Sequence, residues 1–407
     1  MTNIGIIGAG ASGLYAAINL KNENTDVTIL EKNNEIGKKI LMTGNGRCNI
    51  TNAKFYDEFL ENIVGNQKFL FSSFNNHDNY ATIDFYKSHG LDLVTQENER
   101  VFPKSQKSSD VVNFFENQII DKNIKLVTNT RVEEIVKKEK FLVKTTGKDY
   151  NFDVVIIATG GLSYPNTGSS GDGYKFAKEF GHKVSKTHPS LVPIFFKDRD
   201  LSNIKALSLE NTGIKILTDK GSFSEFGSIL LTKNLISGPE VLKISSFVVN
   251  KKVKEITLDL STTNKEDLDK FLVNLFDKNP NKDISNILNE VIPNALVEVI
   301  LNRSQIATDK KANQITKQER LGLIDNIKNF SLKFDKFGGF NAAVITKGGI
   351  EVDQINPKTM ESKLVKDLYF VGEVLDIDAL TGGFNLQLAF TTAFAAASAI
   401  KESIWHI

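Results

Sequence analysis

The sequence predicts an α/β fold: a parallel sheet interrupted by an inserted domain, β-barrel-like at first and then helical. Three observations predict it. The first thirty-one residues read as strand, glycine turn, helix, strand and acid. A second buried run, Asp153–Ile157, ends in another glycine turn, and a third, Asp367–Val371, ends in Gly372-Glu373. Between the last two, from about Leu191, the hydrophobic period shortens to the alternation of an antiparallel sheet.

Asn3–Ile7 is a short apolar strand. Gly8-Ala9-Gly10-Ala11-Ser12-Gly13 follows at once, then an apolar helical pattern from Leu14 to Leu20, then the strand Asp26–Leu30 ending at Glu31. This is the dinucleotide fingerprint in its required context, so the domain is Rossmann-like. Gly8 lets the chain turn out of the strand, Gly10 lets backbone approach a pyrophosphate, and Gly13 lets the helix pack on the strand. The helix N-terminus aims free N–H groups and about half a positive charge at the phosphates. Glu31 is placed to accept hydrogen bonds from both ribose hydroxyls, worth about 1.5–3 kcal/mol each. It also disfavours a 2′-phosphate, which argues against the adenosine of NADP. The fingerprint alone does not separate FAD from NAD.

Gly37-Lys38-Lys39 and then Gly44-Asn45-Gly46-Arg47-Cys48-Asn49 form a glycine and amide loop whose backbone can run close to a flat ligand. Arg47 suits a phosphate or a substrate carboxylate. Cys48 has no CxxC partner and reads as a small residue packed under the ligand. Residues 53–106 read as mixed helix and loop, with His77 and His89 solvated or locally bonded. Ser109-Asp110 reads as the cap of a helix Val111–Asp121. Strand runs at Ile124–Val127, Arg131–Val136 and Phe141–Thr145 read as a three-strand ribbon before Asp153–Ile157. Ala158-Thr159-Gly160-Gly161 then belongs beside the first glycine loop, because ligands sit at the carboxyl ends of parallel strands.

Within the insertion, strands are expected at Ile204–Leu209, Gly213–Leu217, Ser228–Leu231, Phe247–Val249 and Ile256–Leu260. Helices are expected at Lys265–Phe276, Ile284–Leu301 and Lys317–Asn329, the last with a Thr316/Glu319 capping box. Lys251, Lys252 and Lys254 read as a solvated strand edge. Finally, Gly382-Gly383-Phe384-Asn385 opens an apolar helix, Leu386–Ile400, ending near Trp405. Its N-terminus is a second anion site. The domains are therefore 1–190 (first part of the cofactor domain), 191–335 (β-rich 191–262, helical 263–335) and 336–407 (its C-terminal part).

With 407 residues and a net charge of +1, the chain is long enough for two or three domains and offers no bulk surface for a polyanion. One cysteine rules out an intrachain disulfide framework and fits a reducing, cytoplasmic setting. No signal-peptide pattern and no apolar run near about 18 residues is present. A GxSxG elbow, an HExxH helix and a cysteine cluster are all missing, which excludes the commonest nucleophilic hydrolases and zinc sites.

The order of GxGxxG with Glu31, Ala158–Gly161 and Gly372-Glu373 is similar to that of the two-dinucleotide-binding-domain flavoproteins. More closely, the chain resembles the YhiN/BaiN-like family of NAD(P)/FAD-dependent oxidoreductases, which includes aminoacetone-oxidase-like proteins. The resemblance is carried by Gly37–Lys39 with Gly44–Asn49, Arg100-Val101-Phe102-Pro103, Thr346-Lys347-Gly348-Gly349, and Asn356-Pro357-Lys358-Thr359-Met360-Glu361-Ser362. Gly372-Glu373-Val374-Leu375-Asp376 and Thr381-Gly382-Gly383-Phe384-Asn385-Leu386-Gln387 complete it. It implies FAD, with adenosine at Glu31, pyrophosphate at the first glycine loop, Glu373 at the ribityl chain or pyrophosphate, and the Gly383-Phe384-Asn385 backbone at the flavin pyrimidine edge. The cofactor contacts so implied fall on Gly8, Ala9, Gly10, Ser12, Gly13, Glu31, Lys32 and Lys39, then on Gly44, Gly46, Arg47, Cys48, Asn49 and Val132. The remainder fall on Ala158, Thr159, Gly160, Gly161, Gly372, Glu373, Gly383, Phe384 and Asn385. One departure stands out: relatives commonly carry Thr-His-x-Gly-x-Ser-Gly-Pro where this chain has Thr232-Lys233-Asn234-Leu235-Ile236-Ser237-Gly238-Pro239.

The expected function is an FAD-dependent oxidoreductase that moves hydride between flavin and a small organic substrate, with the insertion covering the flavin. One version is NAD(P)H-fed reduction of an activated double bond, the nicotinamide binding transiently. Another is an amine oxidase using oxygen. A third, of another class, is a flavin-binding module acting with a macromolecular partner. No nucleic-acid or membrane partner and no metal is expected, and no side chain stands out as catalytic acid or base.

Overall fold

Residues 1–405 are described by the computed structural model, which divides into two units: 1–190 with 340–407, and 191–339. The first is built on a five-stranded parallel sheet. β1 (Thr2–Ile7) is its centre, with β2 (Thr25–Leu30) and then Lys125–Val127 on one side, and Val154–Ile157 and then Leu368–Phe370 on the other. The inner strands are buried on both faces, so they read as unbroken apolar runs rather than as alternation. Because the chain leaves β1 in one direction and returns on its other side, the carboxyl ends of β1 and Val154–Ile157 flank a topological switch point. Both glycine turns open there.

α1 (Ala11–Leu20) is buried along nearly its whole length and packs against the C-terminal helix Phe384–Trp405. The contact is aromatic where Tyr15 meets Phe390, with ring centroids 4.8 Å apart. Three polar side chains of that helix, Gln387, Thr391 and Thr392, are buried too, and each is used. Thr392 accepts the Gly372 N–H at 3.0 Å, and Thr391 donates to the His77 carbonyl at 2.8 Å. Gln387 accepts from the Thr51 hydroxyl at 2.7 Å and donates to Thr82 and to the Asp78 carbonyl. The helix thus fixes in place the segments that carry the glycine and amide motifs.

Several expectations need correction in this unit. Lys125–Val127 is the edge strand of the parallel sheet, and the antiparallel ribbon is Val132–Lys137, Phe141–Thr145 and Tyr150–Phe152. Arg100–Pro103, within the stretch expected as mixed helix and loop, is the middle strand of a small sheet with Thr51–Asn52 and Leu93–Gln96. The following helix starts at Ser108 without a side-chain cap, and Ser108 donates instead to the Leu41 carbonyl.

The second unit holds its own core around a seven-stranded antiparallel sheet. Its order is Phe330–Leu332, Val253–Asp259, Leu207–Thr218, Gly221–Leu231, Leu235–Ser237, Ile194–Phe196 and Phe334–Phe337. The first and last of these strands are separated in sequence by Lys333 alone, so the sheet must curl until its edges nearly meet, which makes it barrel-like. Phe334–Phe337 belongs to this sheet, which carries the unit to Gly339 rather than to 335. Two strands expected at 204–209 and 213–217 are one, Leu207–Thr218. Its register shifts beside Asn211, whose φ of +52° an asparagine tolerates at a bulge. Phe247–Val249, expected as a strand, ends the helix Pro239–Val248, where Pro239 supplies the preset φ of a first helical residue. The helix expected over 284–301 is broken into Ile284–Ile287 and Asn294–Arg303, because Pro293 cannot continue it.

The capping box before Lys317–Lys328 is formed: Thr316 Oγ accepts the Glu319 N–H at 3.2 Å and Glu319 accepts the Thr316 N–H at 2.8 Å. Thr316→Ala is expected to destabilise this helix by about 1 kcal/mol. Amide exchange across Lys317–Lys328 would then run roughly fivefold faster, and unchanged protection would contradict the role given to the cap.

Candidate functional site

The three fingerprint glycines are required for different reasons. Gly8 has φ +108°, and a Cβ there would lie 2.6 Å from the Ala158 carbonyl oxygen. A Cβ on Gly13 would lie 2.0 Å from the Gly8 carbonyl oxygen. Both are demanded by packing within the fold. Gly10 is different: its backbone is extended (φ −86°, ψ −173°), which suits any residue, and a Cβ would meet nothing within 4 Å. Nothing in the folded chain requires glycine at this position. It leaves open the N-terminus of α1, which has no side-chain cap among the described residues, and this is the geometry of an anion site. Glu31 is buried at the end of β2. Its Oε2 accepts the Ala9 N–H at 2.7 Å, and its Oε1 accepts both nitrogens of Asn33 at 2.8 Å. Three donors on a carboxylate with about four acceptor positions leave room for one more.

Glu373 is the meeting point of the later motifs. Its Oε1 accepts from the Ser163 hydroxyl at 2.7 Å and from the Thr346 N–H at 2.9 Å, and its Oε2 is paired with the Lys39 ammonium at 2.8 Å. The Thr346 hydroxyl in turn accepts the Leu162 and Ser163 N–H groups. Gly161 is squeezed between them, since a Cβ there would lie 2.5 Å from Thr346 Oγ1. A Cβ on Gly372 would lie 2.6 Å from the Ser12 hydroxyl. The C-terminal motif is therefore seated against the first turn of α1.

The loop from Gly44 to Asn49 is held in left-handed backbone at Gly44, Asn45, Gly46 and Cys48. Cys48 is buried, and burial pushes its thiol up to about 12, so it is a packed thiol and not a nucleophile. Arg47 lies over the Phe102 ring at 4.7 Å. A Cβ on Gly383 would lie 2.4 Å from the Thr51 carbonyl oxygen. The Asn385 side chain is committed to Ala379 and Leu380, and Phe384 is buried edge-on to Phe59. What this segment offers a ligand is backbone.

Two buried side-chain oxygens in these motifs, Asn49 Oδ1 and Thr159 Oγ1, have no hydrogen-bond partner among the described residues. An orphaned acceptor in the amide loop and an orphaned hydroxyl at the second glycine turn fit a polar ligand lying across both. Lys32 is paired with Asp172 at 2.7 Å, which also meets Arg131. Val132 is a core residue of the ribbon. Lys233 is exposed. His77 is buried against Tyr15 and Thr82, and burial lowers its pKa to about 4. The sequence assigns no role to Ser163 or Asp378, and Thr346 and Lys347 stand out there only as part of the Thr346–Gly349 motif. Among the described residues no His, Cys, Asp and Glu cluster is arranged to hold a metal ion, and no helix is long and apolar enough to cross a membrane.

The model of the HI0933-like protein Rossmann domain matches residues 2–399. The 3-dehydro-bile acid delta(4,6)-reductase of Clostridium scindens is 30% identical over 99% of this chain and 100% of its own. The ribosomal RNA dihydrouridine synthase of Haemophilus influenzae is 30% identical over 98% of each chain. The fold is also similar to that of the 3-ketosteroid delta1-dehydrogenase from Sterolibacterium denitrificans, at 12% identity, with a TM-score of 0.55 over 99% of this chain and 100% of that one. With the open α1 terminus and the Glu373 junction in place, the chain belongs to the HI0933-like Rossmann-domain family, as an FAD-dependent oxidoreductase.

Proposed function

We propose that the protein uses FAD to reduce a carbon–carbon double bond conjugated to a carbonyl, with a reduced nicotinamide as electron donor. The observation that carries this reading is shared chemistry. Two relatives at 30% identity have names that describe saturation of such a bond, in a bile acid in one and in a ribosomal uridine in the other.

In this reading the α1 N-terminus and Gly10 take the pyrophosphate, and the remaining acceptor position of Glu31 takes a ribose hydroxyl. Asn49 Oδ1 and Thr159 Oγ1 find their missing partners on the cofactor. The backbone at Gly383–Asn385 opens the C-terminal helix toward the pyrimidine edge, where the positive end of the helix dipole favours negative charge. Bound there, the flavin supplies hydride transfer, and the chain binds, orients and tunes it. The Lys39–Glu373 pair holds the loop and the strand end together beneath it.

A second substrate, uridine within RNA, is favoured by the two relatives named ribosomal RNA dihydrouridine synthase. A net charge of +1 gives the chain no general attraction for polyanions, so recognition there would be local.

Gly10→Val is expected to purify without flavin and to melt at the temperature of flavin-free wild type. Normal flavin loading would contradict the close backbone approach. Photoreduced holoprotein mixed anaerobically with a conjugated enone or with ribosomal RNA is expected to reoxidise as the substrate gains two hydrogen atoms. Reoxidation by neither, with turnover of a primary amine in air, would replace this reading by the oxidase.

A further inference from the structure

Lys347 follows Thr346 on the strand Ile345–Lys347, so its side chain leaves the opposite face of that strand from the threonine that holds Glu373. Its ammonium reaches both carboxylate oxygens of Asp378, at 3.3 and 3.5 Å. Asp378 is 1% exposed and stands shortly before the Gly382–Asn385 helix start. Its carbonyl accepts the Val64 and Gly65 N–H groups at 2.8 and 3.0 Å. A Cβ on Gly65 would lie 2.3 Å from Asp378 Oδ1, so glycine there gives the carboxylate its space. His188 pairs directly across from Lys347 in the adjoining antiparallel strand, which puts both side chains on one face.

This pair is poorly explained as a stabilising contact. Burying a carboxylate is costly, and two long hydrogen bonds from one ammonium return little of that cost. Burial pushes the Asp378 carboxyl upward, Asp376 adds to the effect, and Lys347 opposes both. The lysine has three N–H donors and no other hydrogen-bond partner among the described residues. It is a partly exposed cation, held in place by a buried anion, between the strand stitched to the second glycine turn and the segment that opens the C-terminal helix.

We propose that Lys347, held by Asp378, is the cationic side chain that meets negative charge forming on the substrate beside the flavin. The assignment rests on the double-bond reading. When the β-carbon of a conjugated carbonyl accepts a hydride, one C–H bond forms and the double bond shifts toward the carbonyl. The oxygen takes the negative charge as an enolate, and the α-carbon then takes a proton from water. The hydride, which carries both electrons, comes from the reduced nicotinamide by way of the flavin. Lys347 stabilises the enolate oxygen, and Asp378 is a positioning residue that fixes the ammonium.

Sulfite tests this without a known substrate. It is an anion that adds covalently to the oxidised flavin at the nitrogen that passes hydride, and the adduct bleaches the visible band. On holoprotein, Lys347→Met is expected to raise the sulfite dissociation constant at least about tenfold. Lys347→Arg should retain the wild-type affinity, and Asp378→Asn, which loosens the ammonium from its anchor, should weaken it. Equal affinity in wild type and Lys347→Met, or no adduct with wild type, overturns the proposal while leaving the FAD assignment intact. A wild-type protein that takes up no FAD overturns both.

Discussion

Segments far apart in the sequence meet on one carboxylate. Glu373 takes a hydroxyl from Ser163, a backbone N–H from Thr346 and an ammonium from Lys39. These come from the turn after the second central strand, from the return of the chain after residue 339, and from the loop after β2. Removing that carboxylate would leave the Lys39 ammonium without its counter-charge and the Thr346 N–H without its acceptor, the latter at a cost of about 1–3 kcal/mol. The motifs keep their relative positions only while this junction holds. That constrains Gly161 and Gly372 to be glycine as firmly as any ligand could.

The fingerprint shows how one motif serves two masters. Gly8 and Gly13 are needed so that strand and helix can touch, whereas nothing in the folded chain needs Gly10. The same division appears near the C-terminus. Asn385 and Phe384 spend their side chains on holding the turn and filling the core, and leave backbone for the ligand. Side chains there are spent on packing and internal hydrogen bonds, which explains why a site so clear in its glycines has so few side chains to name.

Much of the fold was legible because its signals are local. The strand, turn, helix and acid of residues 3–31, the buried run at 154–157 and the capping box at Thr316 each state their structure within a few residues. What failed depends on partners distant in sequence. Lys125–Val127 looks like ribbon until β2 is seen to claim it. Phe247–Val249 is β-branched and apolar yet ends a helix, because Gly238-Pro239 starts one upstream. Asn211 breaks the alternation of a single long strand at a bulge. At the site, Lys32 looked free for a ligand, but its partner Asp172 lies far along the chain. The Lys347–Asp378 pair is likewise invisible without the fold.

In the proposed reaction the flavin takes its electrons from a nicotinamide rather than from the substrate. An anaerobic titration of purified holoprotein with NADH and with NADPH, followed at the visible flavin band, tests that most directly. The account predicts bleaching by at least one of the two, complete near one equivalent. A flavin band that stays oxidised with both would contradict it and would make the substrate itself the reductant.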